Sequence, residues 1–236
     1  MIKYSKYNIL IAILLLGCSS EYKLQSYNNE VIEVQSEIDS AVLAIITPYQ
    51  NKIEDKMNEV LTYTKTVLEK GRPQSTLGNF VTDLCLNYAE ADMCVMNNGG
   101  LRTTIDKGQV TRGKIYELMP FENELVVLEL NKEDYMGLLE YIVKRGGEPF
   151  SGITIKINDK REIMNNSWPV NFSKGEKVKV LTSDYLANGG DKMSFFKEKK
   201  QYKINLKLRD AIIKYCIEKD TIDVKIDNRI KIQKYE

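Results

Sequence analysis

Two glycine-centred loops carry the residues of this sequence that are best suited to binding a ligand. The first reads Met96-Asn97-Asn98-Gly99-Gly100-Leu101-Arg102, and the second reads Tyr185-Leu186-Ala187-Asn188-Gly189-Gly190-Asp191. Each follows an apolar run and ends in a charged residue just beyond a glycine pair. Because glycine has no side chain, the backbone can approach a bound group closely, and the neighbouring amide or charge orients that group. The pattern predicts two ligand-facing loops, each at the end of a strand.

The first loop offers groups that bind an anion or a polar carbonyl. Asn97 has an amide, Arg102 has a planar guanidinium, and Gly99 and Gly100 present two unobstructed backbone N–H groups. Arginine binds phosphate through parallel hydrogen bonds, and successive backbone N–H groups add donors. Arg72, which precedes a predicted helix, is a candidate second cation. The structural alternatives are that Arg102 closes its own loop through a salt bridge and that Arg72 is a surface residue in a turn.

Two aromatic residues at loop positions are candidates for stacking on a planar heterocycle. Phe121 lies at the mouth of a predicted strand, and Tyr185 opens the second glycine loop. Stacking on a nucleic-acid base is worth about 1–3 kcal/mol per base. Asp191, directly after Gly189-Gly190, is placed to accept hydrogen bonds from a ribose diol. Taken singly, each ring is more often a packing residue, but the combination of cation, amide, rings and carboxylate favours a ligand site.

Composition excludes several classes of function. The sequence contains no histidine, the side chain that most hydrolases use for proton transfer or metal binding. Basic and acidic residues number 34 and 33 and are interspersed, so a nucleic-acid partner is not expected. Cys85, Cys94 and Cys216 stand in apolar surroundings without metal-ligand spacing, which favours buried thiols over a zinc site. We therefore expect this chain to bind neither a metal nor a cofactor.

The N-terminal residues match a bacterial lipoprotein signal. Lys3 and Lys6 form a short basic region, Ile9–Leu16 is an apolar run, and Leu15-Leu16-Gly17-Cys18 matches a lipobox, in which the cysteine is lipidated. The run is far short of the about 20 residues that span a bilayer, so it is typical of a signal peptide. We expect lipidation at Cys18 and localisation in the bacterial cell envelope, at the periplasmic face or the outer membrane.

The hydrophobic periodicity predicts helices and strands in one mixed domain. A helical pattern covers Glu37–Lys70, with an apolar stripe over Val42–Leu61 and with Pro48 as a kink or a break. Further helices are predicted over Phe80–Ala89, Thr111–Met119, Lys132–Lys144 and Leu206–Glu218. Strands are predicted over Asp92–Met96, Glu124–Leu130, Ile153–Ile157 and Lys177–Thr182, with a last strand pair in Val224–Ile232. The expected organisation is a signal peptide at 1–17, a lipid-anchored tether at 18–36 and one α+β domain at 37–236 that begins with a long helix.

Several blocks of the sequence resemble the C-terminal domain of the 5'-nucleotidase and UDP-sugar hydrolase family. They are Arg72 with Leu77-Gly78-Asn79, Ala91–Arg102, Met119–Asn123, Asp184–Asp191, and Asp227-Asn228-Arg229-Ile230. The resemblance extends from about Ile38 to Ile232, nearly the whole chain after the signal peptide. It implies the α+β fold of that domain.

The resemblance also implies which residues bind substrate. They are Arg72, Asn97, Arg102, Phe121, Tyr185 and Asp191. In the family, the arginines and the asparagine bind phosphate or other polar groups, the two aromatic residues stack on the nucleobase, and the aspartate contacts ribose hydroxyls. A phenylalanine is usual where this sequence has Tyr185, so the ring here gains a hydroxyl.

The sequence departs from the family in what hydrolysis requires. Family members place a metallophosphoesterase domain before this one, and that domain holds two metal ions through aspartate, asparagine and histidine side chains. Two-metal hydrolysis needs ions about 3.5–4 Å apart to activate water and stabilise the leaving oxygen. With no histidine in the sequence, we expect this chain to bind without cleaving, and divalent metals to be bound only by a partner.

Three functions fit these observations. The first is the substrate-recognition half of a 5'-nucleotidase-like hydrolase in nucleotide catabolism, completed by a separate metallophosphoesterase chain. In that case the apolar stripe of Val42–Leu61 docks the partner, although core packing explains the stripe equally well. The second is a membrane-tethered nucleotide- or nucleoside-binding protein without a catalytic partner. The third is a scaffold lipoprotein of the envelope that binds neither.

Overall fold

The computed structural model describes residues 39–233. The predicted signal peptide, the tether and the lipidation site Cys18 lie outside the described residues. The described residues from Ile45 onward belong to one compact unit. Within residues 39–233, every helix is too short or too polar to cross a membrane.

Helices form where the local sequence supplies a cap. Within residues 39–233 the α-helices are α1 Ser40–Met57, α2 Thr76–Leu86, α3 Arg112–Leu118, α4 Lys132–Lys144, α5 Asp184–Ala187 and α6 Leu208–Glu218. The residues that accept a backbone N–H of the first turn through their side-chain oxygen are Ser75 for α2, Thr111 for α3, Asn131 for α4 and Ser183 for α5. Such caps satisfy donors that the first turn leaves unpaired. The start of α5, and with it the start of the second glycine loop, is therefore set locally.

The strands form three sheets. They are β1 Val60–Thr64, β2 Met93–Val95, β3 Gly108–Thr111, β4 Glu124–Leu130, β5 Phe150–Ser151, β6 Ile155–Asn158, β7 Ile163–Asn166, β8 Val178–Ser183, β9 Tyr202–Lys207, β10 Thr221–Ile222 and β11 Ile230–Gln233. The central sheet has the order β5-β2-β8-β4-β9, and the smaller sheets have the orders β10-β1-β3 and β11-β6-β7. In the central sheet β2 is parallel to β8, whereas β4 is antiparallel to β8 and β9.

The central sheet is buried on both faces. Along β4, Leu125 and Val127 belong to an apolar cluster with α2 and α6, whereas Val126 and Leu128 belong to a second cluster with α4. This alternation follows from the two-residue repeat of a strand. Helices on both faces of a mixed sheet confirm the predicted α+β class, and they hold the strand ends in fixed positions.

The prediction that the first helix extends to Lys70 is wrong beyond Met57. α1 is continuous through Pro48, and the chain then enters β1, which pairs with β3 and β10. Val60–Thr64 combines β-branched and aromatic residues, which suit a strand. The helical spacing of Val60 was therefore coincidental. Core packing does not explain the part of the Val42–Leu61 stripe that lies on α1, because no residue of this helix is buried.

The predicted strand pair in Val224–Ile232 is also wrong. The chain there contains β11 but not its partner, because β11 pairs in parallel with β6. The preceding strand, β10, pairs instead with β1. Strands β3, β5, β7, β9 and β10 and the short helix α5 are not predicted from the sequence, while the remaining predicted helices and strands are confirmed to within a few residues at each end.

Arg229 links the segment between β10 and β11 to α2 through hydrogen bonds and ion pairs. Its guanidinium donates hydrogen bonds to Asp83 at 3.0 and 3.1 Å, to Asp227 at 2.6 Å and to the carbonyl oxygen of Phe150 at 2.6 Å. The Arg229 side chain is buried, whereas both aspartates are half-exposed. Hydrogen bonds from Arg229 lower the pKa of Asp227 below its ordinary value.

We expect Asp227→Asn to lower the free energy of unfolding at neutral pH and to have no effect in strong acid. Since the pKa of Asp227 is lower in the folded state, its contribution is complete above about pH 4, the unfolded value, and is lost as the pH falls through the folded value. Denaturant titrations at stepwise pH measure this difference. Asp223→Asn, at an exposed residue with no described ion pair, is the control, and an equal loss at every pH would contradict the prediction.

Candidate functional site

The two glycine loops meet at one edge of the central sheet. β2 and β8 are parallel neighbours, with Met93 paired to Val180 and Cys94 to Leu181. Parallel strands end at the same edge, so the loops that follow them lie side by side. The loops are in direct contact, because Asn97 Nδ2 donates a hydrogen bond to Asp191 Oδ2 at 2.6 Å. The prediction of two loops at strand ends is confirmed.

A cavity of about 320 Å³ opens between these loops. Its lining consists of Asn97, Gly99, Gly100, Arg102, Phe121, Asn123, Tyr185 and Asp191. The volume is at the lower end of the range of small-molecule sites, about 300–1,000 Å³. The fold thus brings together seven of the ten predicted binding and loop residues. The other three, Arg72, Gly189 and Gly190, are not part of the lining.

Phe121 and Tyr185 place aromatic rings in the cavity. The two residues are 41% and 46% exposed, so neither ring is a core residue. The turn that carries Phe121 is held from below by buried Arg209, whose Nη1 donates to the carbonyl oxygens of Met119 and Phe121. Exposed rings on a fixed turn provide apolar area at little cost in side-chain entropy.

Asp191 is held from several sides. Its Oδ1 accepts a hydrogen bond from Tyr185 Oη at 3.0 Å, and its Oδ2 accepts the one from Asn97. Its carbonyl oxygen accepts a third from Tyr141 Oη at 2.8 Å. Burial raises the pKa of Tyr141, which keeps that hydroxyl protonated. The carboxylate is therefore fixed in the cavity wall before any ligand arrives.

The two glycines of the second loop are required by the packing of Tyr185 and by the backbone conformation of the turn. A Cβ at Gly190 would lie 2.6 Å from carbon atoms of the Tyr185 ring, so only glycine lets the ring pack against the loop. Gly189 has φ +88°, a conformation that L side chains rarely adopt. The structure therefore gives these two glycines a conformational role at the loop.

Arg102 presents its charge at the rim of the cavity. Its side chain is exposed. Its Nη1 donates to the carbonyl oxygen of Gly99 at 3.3 Å, and its Cζ is 5.9 Å from the centroid of the Phe121 ring. The salt bridge considered as an alternative is not formed with any carboxylate of residues 39–233. The positive charge is therefore uncompensated beside an aromatic wall, which suits an anionic group.

Comparison with known proteins identifies the family. The family model described as "5'-nucleotidase, C-terminal domain" matches residues 56–198, more than half of the chain. The chain belongs to the 5'-nucleotidase C-terminal domain family. The match lies within the range over which the sequence resembles this domain.

Relatives of this 5'-nucleotidase C-terminal domain are longer proteins. The trifunctional nucleotide phosphoesterase protein YfkN of Bacillus subtilis strain 168 is 30% identical over an alignment of 200 positions, and the match covers 74% of this chain and 13% of the relative. A 5'-nucleotidase of Vibrio vulnificus strain CMCP6 is 27% identical over an alignment of 170 positions, and the match covers 67% of this chain and 31% of the relative. The crystal structure of a 5'-nucleotidase precursor from Thermus thermophilus shares the fold, with a TM-score of 0.68 at 24% identity over 81% of this chain and 42% of that one. The chain thus spans less than half the length of these relatives.

Arg72 lies outside the cavity lining. Its guanidinium donates to the carbonyl oxygens of Arg145, at 2.6 Å, and Gly147, and to Glu148 Oε1 at 3.0 Å. These acceptors belong to the turn that follows α4. The substrate role that the family resemblance implies for Arg72 stays a prediction, and in this structure the side chain is engaged with that turn.

Asn123 lines the cavity without having been predicted as a site residue. It belongs to the Met119–Asn123 block, two positions after Phe121 and directly before β4. Its place in the same short block as Phe121 is the sequence signal that could have marked it as a lining residue.

The cysteines are buried, as their apolar surroundings predict. Cys85, Cys94 and Cys216 are free thiols with no exposed surface. Burial raises the pKa of Cys216 to about 12 and raises that of Cys94 as well, so both thiols are protonated and unreactive. Within residues 39–233, no cluster of three or more potential metal-ligating cysteine or carboxylate side chains occurs.

Proposed function

We propose that this chain is the substrate-recognition half of a 5'-nucleotidase-like hydrolase in nucleotide catabolism. It binds the base, ribose and phosphate of a nucleotide, and hydrolysis takes place at metals held by a separate metallophosphoesterase chain. The observation that carries the proposal is the single cavity in which Arg102 and Asn97 meet the exposed rings of Phe121 and Tyr185. Two relatives whose names are nucleotide phosphoesterase and 5'-nucleotidase support the substrate class.

The geometry suits a ligand with a planar ring and an anionic group. The guanidinium carbon of Arg102 is 5.9 Å from the centroid of the Phe121 ring. A nucleotide whose base stacks on Phe121 therefore has Arg102 nearby to bind its phosphate. Asp191 and Asn97 present polar atoms in the same cavity. The chain's contribution to the reaction is positioning, which lowers the entropic cost of bringing the phosphate to the metals.

The hydrolytic site is proposed to lie on a polypeptide outside this sequence. Two-metal hydrolysis in the family uses histidine ligands, and the sequence has no histidine. The matched domain is a C-terminal one, so the rest of a two-domain relative precedes it, next to the position of α1. In that helix Ile45, Tyr49 and Ile53 are 68%, 69% and 57% exposed. We therefore place the partner's docking surface on these three residues.

The proposal also includes export of the chain and its attachment to a membrane by a lipid at Cys18.

The test begins with binding. Isothermal titration of the chain with AMP and with adenosine is expected to show association of both. If neither AMP nor adenosine produced binding heat, the proposed ligand site would be ruled out. The scaffold function would then be the one that remains.

Catalysis is tested with a separate metallophosphoesterase chain that lacks this C-terminal domain. Adding the purified chain is expected to raise the rate of phosphate release from AMP above the rate of the metallophosphoesterase alone. The double variant Ile45→Ser, Ile53→Ser is expected to bind AMP normally but to lose the rate gain. Binding of AMP without any rate gain would contradict the split enzyme and indicate a tethered nucleotide-binding protein.

A further inference from the structure

Glu148 is a buried carboxylate that contacts the first glycine loop. Its side chain has no exposed surface. Its Oε2 accepts the backbone N–H of Asn98 at 2.7 Å, across 50 residues of sequence. Its Oε1 accepts hydrogen bonds from Arg72 Nη2 and Arg145 Nε, each at 3.0 Å. A buried acid is stable when cations and donors surround it, and here three donors do so.

The contact with Asn98 replaces a local cap. Residues Asn98–Gly100 form one turn of 3-10 helix, and Asn97 occupies the position before it with extended backbone. Asparagine at that position ordinarily turns its side chain back onto the N–H groups of the first turn. Here Asn97 makes no such hydrogen bond, and its amide reaches across to Asp191 instead.

We propose that Glu148 is a positioning residue for the ligand site, because it binds the first free N–H of the Asn98–Gly100 turn and thereby releases Asn97 into the cavity. The inference rests on the proposed function for its ligand. The described hydrogen bonds of the Glu148 side chain go to Asn98, Arg72 and Arg145, which do not line the cavity, so Glu148 acts through the loop backbone next to Asn97.

Two arginines hold the Glu148 side chain in place. Arg72 and Arg145 bind the same oxygen, Oε1, which leaves Oε2 for Asn98. The hydrogen bond to Glu148 raises the pKa of Arg145. Gly147 has φ +112° and lies so close to the backbone of Pro73 that a Cβ would collide with it. This close approach brings the segment before Glu148 alongside Arg72.

Helix α4, which ends just before Glu148, contacts the second glycine loop. Tyr141, in the last turn of α4, donates to the carbonyl oxygen of Asp191, and the Arg145 guanidinium lies 5.7 Å from the Tyr141 ring centroid. The end of α4 and the turn after it therefore hold both loops. This arrangement keeps the Asn97 amide and the Asp191 carboxylate within hydrogen-bonding distance.

The variant that tests this inference is Glu148→Gln, which keeps the volume but has one acceptor where the carboxylate has two. We expect affinity for AMP to fall about tenfold, as for loss of a hydrogen bond to a charged group. Glu140→Gln, an exposed carboxylate on α4, is expected to bind as the unsubstituted protein does. Isothermal titration measures both. Arg145→Gln, a half-exposed position that folding tolerates more readily, is expected to weaken binding in the same direction by a smaller factor.

A double-mutant cycle separates positioning from general destabilisation. If Glu148 acts through Asn97, Glu148→Gln costs less than about twofold once Asn97→Ala is present, because coupled residues are not additive. The same tenfold loss in both backgrounds would overturn the inference.

A readout without ligand keeps the inference independent of the proposed function. In Glu148→Gln we expect the Asn98 backbone amide to exchange faster with solvent and the Asn97 side-chain amide resonances to shift. Unchanged Asn97 resonances would overturn the positioning role. If the unsubstituted protein bound no AMP while these resonances still shifted, the proposed function would fail and the positioning role would stand.

Discussion

Replacing Phe121 and Tyr185 together by alanine lowers the affinity for AMP by at least about thirtyfold, since each ring stacked on a base contributes about 1–3 kcal/mol. Both side chains are more than two-fifths exposed, so their removal leaves no cavity in the core and the fold is retained. Isothermal titration measures the affinity, and thermal unfolding checks that the variant is folded. An unchanged affinity would show that the base does not bind between these residues.

Two single variants sharpen that result. Tyr185→Phe keeps the ring and removes only the hydroxyl that binds Asp191 at 3.0 Å, so we expect a loss of less than about tenfold. Tyr63→Ala removes an equally exposed tyrosine, 50% accessible, on β1, and is expected to leave affinity unchanged. A Tyr185→Phe loss as large as that of Tyr185→Ala would assign the effect to the hydroxyl rather than to stacking.

Arg102→Ala weakens AMP binding by about ten- to a hundredfold while leaving adenosine binding almost unchanged, because a charge-assisted hydrogen bond is worth about 1.5–3 kcal/mol. The guanidinium has no carboxylate partner within residues 39–233, and its one hydrogen bond there is to Gly99. The phosphate is therefore the group that we expect to neutralise it. Titration with the two ligands measures the difference, and phosphate release with the metallophosphoesterase is expected to slow in parallel.

The control for net charge is Lys107→Ala, which removes an exposed cation further along the same loop region. It is expected to change AMP affinity less than about twofold, the scale of a screened surface charge. Equal losses for adenosine and AMP in Arg102→Ala would contradict the phosphate assignment. They would assign Arg102 instead to supporting the Phe121 ring.

The parts of the fold that were predicted correctly are those whose signals are local. β4 and α4 were predicted to the residue, because an apolar run meets the cap Asn131 at the junction between them. The end of α1 was missed because Val60 fits both a helical and a strand repeat. What decides between them is pairing with Thr111, far along the chain. β9 was missed for the same reason, since its partner is β4.

The residues of the site also divide into those with a local sequence signal and those that depend on distant partners. The loops could be predicted because each one combines, within seven residues, a glycine pair with an arginine or with a tyrosine and an aspartate. Glu148 has no local signal, since its role depends on Asn98, 50 residues away. The placement of Arg72 was beyond sequence analysis as well, because its acceptors lie on a turn more than seventy residues later.

The hydrogen bonds on Asp191 bear on selectivity among sugars. Both carboxylate oxygens already have donors in the free protein, Tyr185 on one and Asn97 on the other. Because each carboxylate oxygen has a further lone pair, a ribose hydroxyl can add to these donors without displacing them. Under the proposed function, the fold thus presents the sugar with an acceptor that is already oriented, which lowers the entropic cost of that contact. We therefore expect nucleotides that carry the hydroxyl facing Asp191 to bind more tightly than analogues that lack it.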